Sequence, residues 1–249
     1  MQRLTPDIKP PILPARSVVM DGFRALTLTL CLLSVLTRPA LAETPVVSCH
    51  SGAFSVSAED PQEADLACAI IDKTHARLAQ LGFEMLEPAR VEITSALDVA
   101  QGVCVGLYNA MEKKLQILSR SCLQDQTAHS IGFAEMEPDL LFETVLVHEL
   151  VHAHIDQHSS GRFLPRVAHE YLAYSIQLDL LPEADRIRIL EKAQIAAPIV
   201  FDEISASLLQ FSPIHFAAMA WMHFDQEGAD SDLVDRIIRG DLLFNTLWD

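Results

Sequence analysis

The sequence predicts an α+β protein, with a small N-terminal antiparallel β/α part followed by a helical part. From about residue 46 to 136, short β-prone runs surround a single amphipathic helix. From residue 138 onward, apolar residues recur at helical spacing, and the most apolar helix stands where the two patterns meet. Strands first and helices afterwards are typical of the α+β class. We therefore expect one domain over 43–249, β-rich in 43–136 and helical in 137–249.

The N-terminal 42 residues predict an export signal rather than a part of the fold. Arg24 precedes an apolar run over 25–36, and a small-x-small cleavage pattern ends at Ala42. The run is too short for an ordinary transmembrane helix, and the alternative is a buried N-terminal core helix. Met20 is a candidate for the true start, because the chain before it resembles no targeting segment. We predict cleavage after Ala42 and a secreted or periplasmic protein.

The remaining elements follow from apolar spacing and from end signals. Residues 61–81 predict a helix that Gly82 closes as its C-cap. A short strand follows at 91–93, and later come a hairpin and an edge segment, at 103–108, 115–119 and 131–133. Six helices are then expected, the second of them bounded by prolines, at 139–157, 165–181, 183–194, 202–210, 213–224 and 231–239.

Four cysteines remain in the predicted mature chain: Cys49, Cys68, Cys104 and Cys122. An even number in an oxidising compartment predicts two disulfides, and four cysteines allow three pairings. In the predicted hairpin, Cys104 and Cys122 lie equidistant from Lys113 and hence opposite each other. This placement favours the pair Cys104–Cys122, which leaves Cys49–Cys68 to join the mature N-terminus to the first helix.

The predicted mature chain is strongly acidic. The full sequence has a formal net charge of −16 with its histidines neutral. Residues 1–42 hold five basic and two acidic residues, so the mature part keeps 13 basic against 32 acidic residues, a net charge of −19. Such a surface repels phosphate backbones and anionic lipid. We expect no nucleic-acid partner and no membrane span in the mature form.

The helix at the junction contains the pentapeptide His148-Glu149-Leu150-Val151-His152, an HExxH motif. Two histidines four residues apart point the same way on a helix, which suits a tetrahedral zinc ion, and the glutamate between them can act on water. This helix is apolar on every face and is therefore buried, so each polar group in it needs a partner. A zinc ion would supply that partner. The alternative is a set of hydrogen-bonded core histidines with Glu149 in a buried salt bridge.

A catalytic zinc site takes three protein ligands and leaves one position for water. Two residues compete for the third place. His158 lies six residues beyond His152, at metzincin spacing, but Ile155 occupies the position where that arrangement needs a left-handed glycine. Glu170 lies on the next predicted helix, after a loop that can turn the chain back. We rank Glu170 first and His158 second.

The HExxH helix followed by His169-Glu170, with seventeen residues between His152 and Glu170, resembles the gluzincin group of zincin-type zinc metallopeptidases. These are the thermolysin-like and aminopeptidase-like enzymes, which commonly have asparagine before the ligand glutamate, where this chain has His169. The resemblance covers about 35 residues and indicates an exported bacterial branch of the group.

The resemblance implies a zincin-like fold with the HExxH helix at the junction of its two parts. It assigns zinc binding to His148, His152 and Glu170. It makes Glu149 the general base, which takes a proton from the attacking water and passes it to the leaving amine. A donor to the developing oxyanion, usually Tyr or His in this group, is also implied. Tyr174 lies one turn after Glu170 and becomes either that donor or a support for a ligand.

We therefore expect a secreted or periplasmic zinc-dependent hydrolase, a peptidase that acts on a peptide or protein substrate. His215 and His223, on a later helix, are alternative donors to the oxyanion. One alternative function is a catalytically inactive zinc-binding interaction or adhesion module, although binding alone does not need Glu149. Another is a structural metal site, which would prefer a fourth protein ligand such as His158 or His169.

Overall fold

The computed structural model describes residues 44–97, 105–127, 136–159 and 161–245, and these form a five-stranded sheet followed by helices. The predicted α+β class is confirmed. All described residues belong to one unit, which spans Ala42–Asp249. The predicted signal peptide, with its possible start at Met20, and the predicted edge segment at 131–133 lie outside the described residues. Within the described ranges, no helix has the length and apolarity that a membrane span requires.

The sheet is mixed, in the order β1-β2-β3-β5-β4, and its strands are β1 (Val46–Ser48), β2 (Phe54–Ser57), β3 (Ala89–Thr94), β4 (Gly106–Asn109) and β5 (Lys114–Leu118). Strands β2, β3 and β5 run parallel, whereas β1 and β4 are antiparallel to their neighbours. The expectation of antiparallel strands was therefore right for β1–β2 and β4–β5 and wrong for β2–β3 and β3–β5. The reason is the helix α1 (Pro61–Gln80), which connects β2 to β3 as a crossover and so makes them parallel.

The predicted hairpin forms, but in a different register. Gly106 pairs with Ile117 and Asn109 pairs with Lys114, so the turn is centred between Met111 and Glu112 rather than at Lys113. The Asn109 side chain sets this turn, because its Oδ1 accepts hydrogen bonds from the N–H groups of Met111 and Glu112 at 3.1 and 3.2 Å.

This register removes the argument for a Cys104–Cys122 pair. Cys122 lies beyond the strand in α2 (Arg120–Thr127), a helix that the sequence reading missed, and Cys104 lies outside the described residues. Cys122 forms no disulfide with any cysteine in the described part of the chain. The predicted pair Cys49–Cys68 is confirmed, and it joins the residue after β1 to α1. A disulfide indicates an oxidising, extracytoplasmic environment.

The C-terminal part is helical, with α3 (Pro138–His158), α4 (Arg166–Asp179), α5 (Glu183–Ala193), α6 (Ala206–Phe211), α7 (Pro213–Gln226) and α8 (Ser231–Arg239). Five of the six predicted helices form within three residues of their expected bounds. The sixth, expected at 202–210, is divided into a short 3-10 turn, Phe201–Glu203, and α6. Ser205 causes the division, because its side chain caps α6 by accepting the Leu208 N–H at 3.2 Å.

Helix α3 lies at the centre of the fold. It packs against α1, α2 and α4 and against β4 and β5. Its buried residues point in every direction around the helix axis, with Leu146, Leu150 and Val151 all within 1% of complete burial. The sequence predicted that this helix is apolar on every face, and other elements do surround it. Helix α4, one of the neighbours that surround α3, also brings polar side chains to His148 and His152.

Replacing both bonded cysteines with alanine will lower the free energy of unfolding by about 2–4 kcal/mol. The bond joins residues 19 apart in the sequence and so restricts the unfolded chain. Urea denaturation in the presence of a chelator measures the difference without a contribution from metal binding. Wild-type protein under reductant should fall to the level of the double variant. An unchanged midpoint in the variant would contradict the prediction, and a further loss on reducing the variant would reveal a second disulfide.

Candidate metal centre

Helices α3 and α4 bring three metal-binding side chains together. His148 and His152 lie one turn apart on α3, Glu170 lies in the second turn of α4, and their ligand atoms all fall within 4.8 Å of one another. The Nε2 atom of His148 is 3.1 Å from the Nε2 atom of His152 and 3.3 Å from Oε2 of Glu170. Ligand bonds of about 2.0–2.1 Å in a tetrahedron place neighbouring ligand atoms about 3.3 Å apart. These three residues could hold a metal ion.

Gln177 determines which nitrogen of His148 faces the cluster. The Gln177 amide donates from Nε2 to Oγ1 of Thr144 at 2.9 Å, so its Oε1 accepts from Nδ1 of His148 at 3.0 Å. In a neutral imidazole the other nitrogen, Nε2, is then a bare acceptor, and it faces the carboxylate of Glu170. Two acceptors at this distance need a cation between them. A proton on His148 or a metal ion can fill that place.

The electrostatics of the cluster favour a cation. Burial works against the charged form of His148, but the hydrogen bond and the charge of Glu170 raise the pKa of His148 above its ordinary value. Burial would raise the pKa of Glu170, yet the hydrogen bond from His148 and its charge hold this pKa well below the ordinary value. Burial, with the charge of His148, lowers the pKa of His152. The cluster therefore combines an anionic carboxylate with a neutral His152, and a metal ion would replace the proton that His148 shares with Glu170.

Glu149 lies beside the cluster, between α3 and β4. A Cβ atom added to Gly106 would lie only 2.8 Å from Oε1 of Glu149, so the strand can approach this carboxylate only because residue 106 is glycine. The backbone N–H of Tyr108 also donates to the carboxylate. Burial raises the pKa of Glu149 to about 7, against the lowering effect of the His148 charge. Glu149 is thus held next to the three ligands without belonging to them.

A cleft opens on both sides of the cluster, and His152, His169 and Glu170 line both of its halves. We call the larger cavity, of about 540 Å³, the α6 half; its further lining includes Leu164, Arg166, Ala206 and Leu209. We call the smaller cavity, of about 370 Å³, the β4 half; its further lining includes Gly106, Leu107, Tyr108, Glu149 and Asp156. A long substrate can therefore extend to either side of the ligands.

Tyr174 lies at the site, as its spacing predicted. Its ring packs edge-on against His148, with 4.6 Å between the ring centroids, and against Phe216 on the other side at 5.9 Å. Burial, with the charge of Glu170, raises the pKa of the Tyr174 hydroxyl. The ring therefore limits how His148 can tilt. A direct catalytic role for the hydroxyl stays a prediction.

His169 lines the cleft outside the cluster, and three other candidate histidines lie elsewhere. His158 donates from Nδ1 to the backbone carbonyl of His154 at 3.0 Å, and its ring packs on Phe83 with centroids 5.1 Å apart. His223 shares a buried hydrogen bond of 2.7 Å with the Tyr171 hydroxyl. His215 shares a hydrogen bond with Ser212. Between the two rivals for the third ligand position, only Glu170 joins the cluster, and no fourth such side chain joins it among the described residues.

Gln177 and Thr144 support His148, and the sequence patterns above did not predict either of them. Both are buried, and together they link α4 to His148. A signal for them does exist, because Gln177 continues the row of Glu170 and Tyr174 at helical spacing and Thr144 lies one turn before His148. Polar residues in the same row as the ligands, on two apolar helices, are candidates for orienting those ligands.

The fold and the site define an α+β protein in which two neighbouring helices carry two histidines and a glutamate that could hold a metal ion. The chain belongs to DUF6639, a family of unknown function, whose model matches residues 54–247. The match includes both helices that carry the centre. Comparisons with curated proteins and with solved structures found no match.

Alanine at His148, His152 or Glu170 will lower the affinity for a divalent transition metal by at least roughly 100-fold, because each loss removes one of three ligands. His158→Ala is the matched control, and it should leave metal binding unchanged because His158 lies outside the cluster. Elemental analysis after dialysis, with titration against a competing chelator, measures the difference. Metal lost from His158→Ala but kept by Glu170→Ala would show that the third ligand is His158.

Gln177→Leu will weaken metal binding by roughly 10- to 100-fold, because the Nδ1 atom of His148 loses the acceptor that orients its ring. Gln177→Glu keeps an acceptor in the same place and should retain most of the affinity. The same chelator competition measures both variants, and circular dichroism confirms that they fold. Equal affinity in Gln177→Leu and the wild type would contradict an orienting role.

Proposed function

We propose that this protein is an exported zinc-dependent hydrolase that cleaves peptide bonds. The observation that carries the proposal is the position of Glu149, a carboxylate with a raised pKa, held beside three metal-binding side chains in a cleft that opens on both sides. The predicted cleavable signal and the oxidising environment that the disulfide indicates support export.

Zinc suits the ligand set best. Two imidazoles and one carboxylate form the mixed nitrogen and oxygen set of catalytic zinc sites, in which the fourth position stays open. Calcium and magnesium prefer sets of oxygen ligands, so the two histidines argue against them. When bound here, a zinc ion supplies Lewis acidity, which polarises a substrate carbonyl and makes water a better nucleophile.

The chain's own residues supply the proton chemistry. Glu149 accepts a proton from the attacking water and returns it to the leaving amine. In the metal-free protein, burial raises the pKa of Glu149, which favours a carboxyl group that can hold the transferred proton. The close approach of Gly106 and the N–H of Tyr108 fix where the carboxylate lies. Tyr174, against His148, completes the group as a donor to the oxyanion or as a support for that ring.

A peptide is the substrate class that the surroundings favour. In the part of the chain that the structure describes, β4 is an edge strand of the sheet, and it lines the smaller cavity next to the metal-binding side chains. An edge strand offers its unbonded backbone N–H and C=O groups to an extended peptide, which can add to the sheet as a further strand. In β4 the Tyr108 N–H is not among them, because it donates to Glu149. A peptide held along β4 therefore brings its backbone carbonyl groups close to Glu149.

Glu149→Gln will lower peptide hydrolysis by at least about 100-fold and leave metal content unchanged, because glutamine keeps the size of the side chain but cannot accept the proton. Zinc-loaded protein assayed on a library of quenched fluorescent peptides, with and without chelator, measures the effect. Glu143→Gln, on the surface of the same helix, is the control and should keep full activity.

Wild-type protein that retains one zinc ion per chain but hydrolyses no peptide would contradict the proposal. It would favour the alternative of a catalytically inactive zinc-binding interaction or adhesion module. Hydrolysis that persists in Glu149→Gln would also contradict the proposal, because it would place the base elsewhere.

A further inference from the structure

Asp156 lies in the cleft and takes no part in the chemistry described so far. It follows His152 by one turn of α3, and it lines the β4 half of the cleft. The hydroxyl of Tyr108 donates to Oδ2 of Asp156 at 3.1 Å, which ties the end of the carboxylate to strand β4. The side chain is partly exposed, so a ligand in the cavity can reach it.

We propose that Asp156 is the anchor for a positively charged group of the substrate, next to the bond that is cleaved. The inference rests on the proposed peptidase function and narrows its substrate class. The substrate is then a peptide that presents an ammonium or guanidinium group beside the scissile bond. Asp156 is a specificity-determining residue in this assignment and does not act on the reacting atoms.

The balance of charge in the β4 half supports the proposal. Three carboxylates line this half, those of Glu149, Asp156 and Glu170, and no lysine or arginine of the described residues does. A divalent cation at the cluster offsets the charges of Glu149 and Glu170, which leaves the charge of Asp156. Its partner Tyr108 is neutral, because burial and the charge of Asp156 raise the pKa of this hydroxyl. The remaining negative charge favours a cationic ligand.

The two halves of the cleft differ in the charge of the side chains that line them. The cation Arg166 lines the α6 half, where its Nε lies 3.6 Å from Oε1 of Glu170. Leu164, Ala206 and Leu209 line the same half and add apolar surface beside this cation. A substrate cation is therefore favoured on the side of Asp156 and disfavoured on the side of Arg166.

The spacing along α3 limits which substrate group can reach Asp156. One helical turn advances about 5.4 Å, which compares with about 3.3 Å per residue of an extended peptide. From a carbonyl group at the cluster, Asp156 is thus within reach of the residue that flanks the scissile bond. Two sources of charge fit this distance: the free α-ammonium group of an N-terminal residue and the side chain of an internal lysine or arginine.

Matched peptides separate these two sources. One pair differs only by acetylation of the N-terminus, and a second, acetylated pair differs only by lysine or norleucine beside the scissile bond. We expect zinc-loaded wild-type protein to cleave the cationic member of at least one pair with a kcat/KM roughly 10- to 100-fold higher. The pair that shows the preference identifies the source of the charge.

Asp156→Asn should remove this preference, because asparagine keeps the shape and the acceptor for Tyr108 but carries no charge. Cleavage of the neutral peptides should stay within about threefold of wild type, since Asp156 touches none of the reacting atoms. Glu143→Gln, which removes a charge from the same helix on the side facing α1, is the control and should keep the preference. Equal cleavage of both members of both pairs by wild type, or an equal loss on all peptides in Asp156→Asn, would overturn the inference.

A binding measurement separates this inference from the proposed function. Zinc-loaded Glu149→Gln protein should bind the cationic peptide more tightly than its neutral partner, and adding Asp156→Asn should abolish the difference. If wild type hydrolyses no peptide but this binding preference is observed, the peptidase proposal fails and the role of Asp156 stands. If hydrolysis is observed without any preference for a cation, the peptidase proposal stands and the role of Asp156 fails.

Discussion

The architecture of the site depends on one electrostatic constraint, which is that His148 and Glu170 face each other as two acceptors. The amide of Gln177 holds the imidazole so that its second nitrogen points at the carboxylate. Bringing α3 and α4 together therefore creates a place that only a cation can satisfy, at the cost of burying polar groups. Packing of apolar residues on every side of α3 stabilises this arrangement. The metal-binding geometry is thus a consequence of how two apolar helices are held, and it does not come from a flexible loop.

The sheet positions the residues of the site more than it supplies reacting groups. Strand β4 runs antiparallel to β5, lies at the edge of the sheet that the described residues form, and packs against α3. Its residues enclose Glu149 on one side and bring the Tyr108 hydroxyl to Asp156 on the other. The same short strand therefore sets the surroundings of the carboxylate next to the ligands and of the carboxylate one turn beyond them. Tyr108 positions both acidic side chains, since its N–H donates to Glu149 and its hydroxyl donates to Asp156.

Much of this protein could be predicted from local sequence patterns. The HExxH spacing and the apolar rows of α3 and α4 follow the helical period, and Glu170 stands near the start of the second of these helices. The cluster forms as this pattern indicates. The missed features depend on contacts distant in sequence. Parallel pairing follows from the crossover through α1, and the hairpin register follows from the Asn109 side chain. The spacing of Gln177 places it in the row of Glu170, but its partners Thr144 and His148 are known only once α4 lies against α3. The contact of Asp156 with Tyr108 likewise depends on β4 lying against α3.

Gly106 determines whether the Glu149 carboxylate can lie beside the metal-binding side chains. Any side chain there would displace the Glu149 carboxylate or push the strand away from the helix. A homologous chain could retain both histidines and both glutamates and still be unable to present the acidic group correctly, if it carried a bulkier residue at this one point on the neighbouring strand. An intact HExxH pentapeptide is therefore not sufficient to predict that such a protein presents its glutamate correctly. The motif also requires a glycine on the neighbouring strand, more than forty positions earlier in the chain.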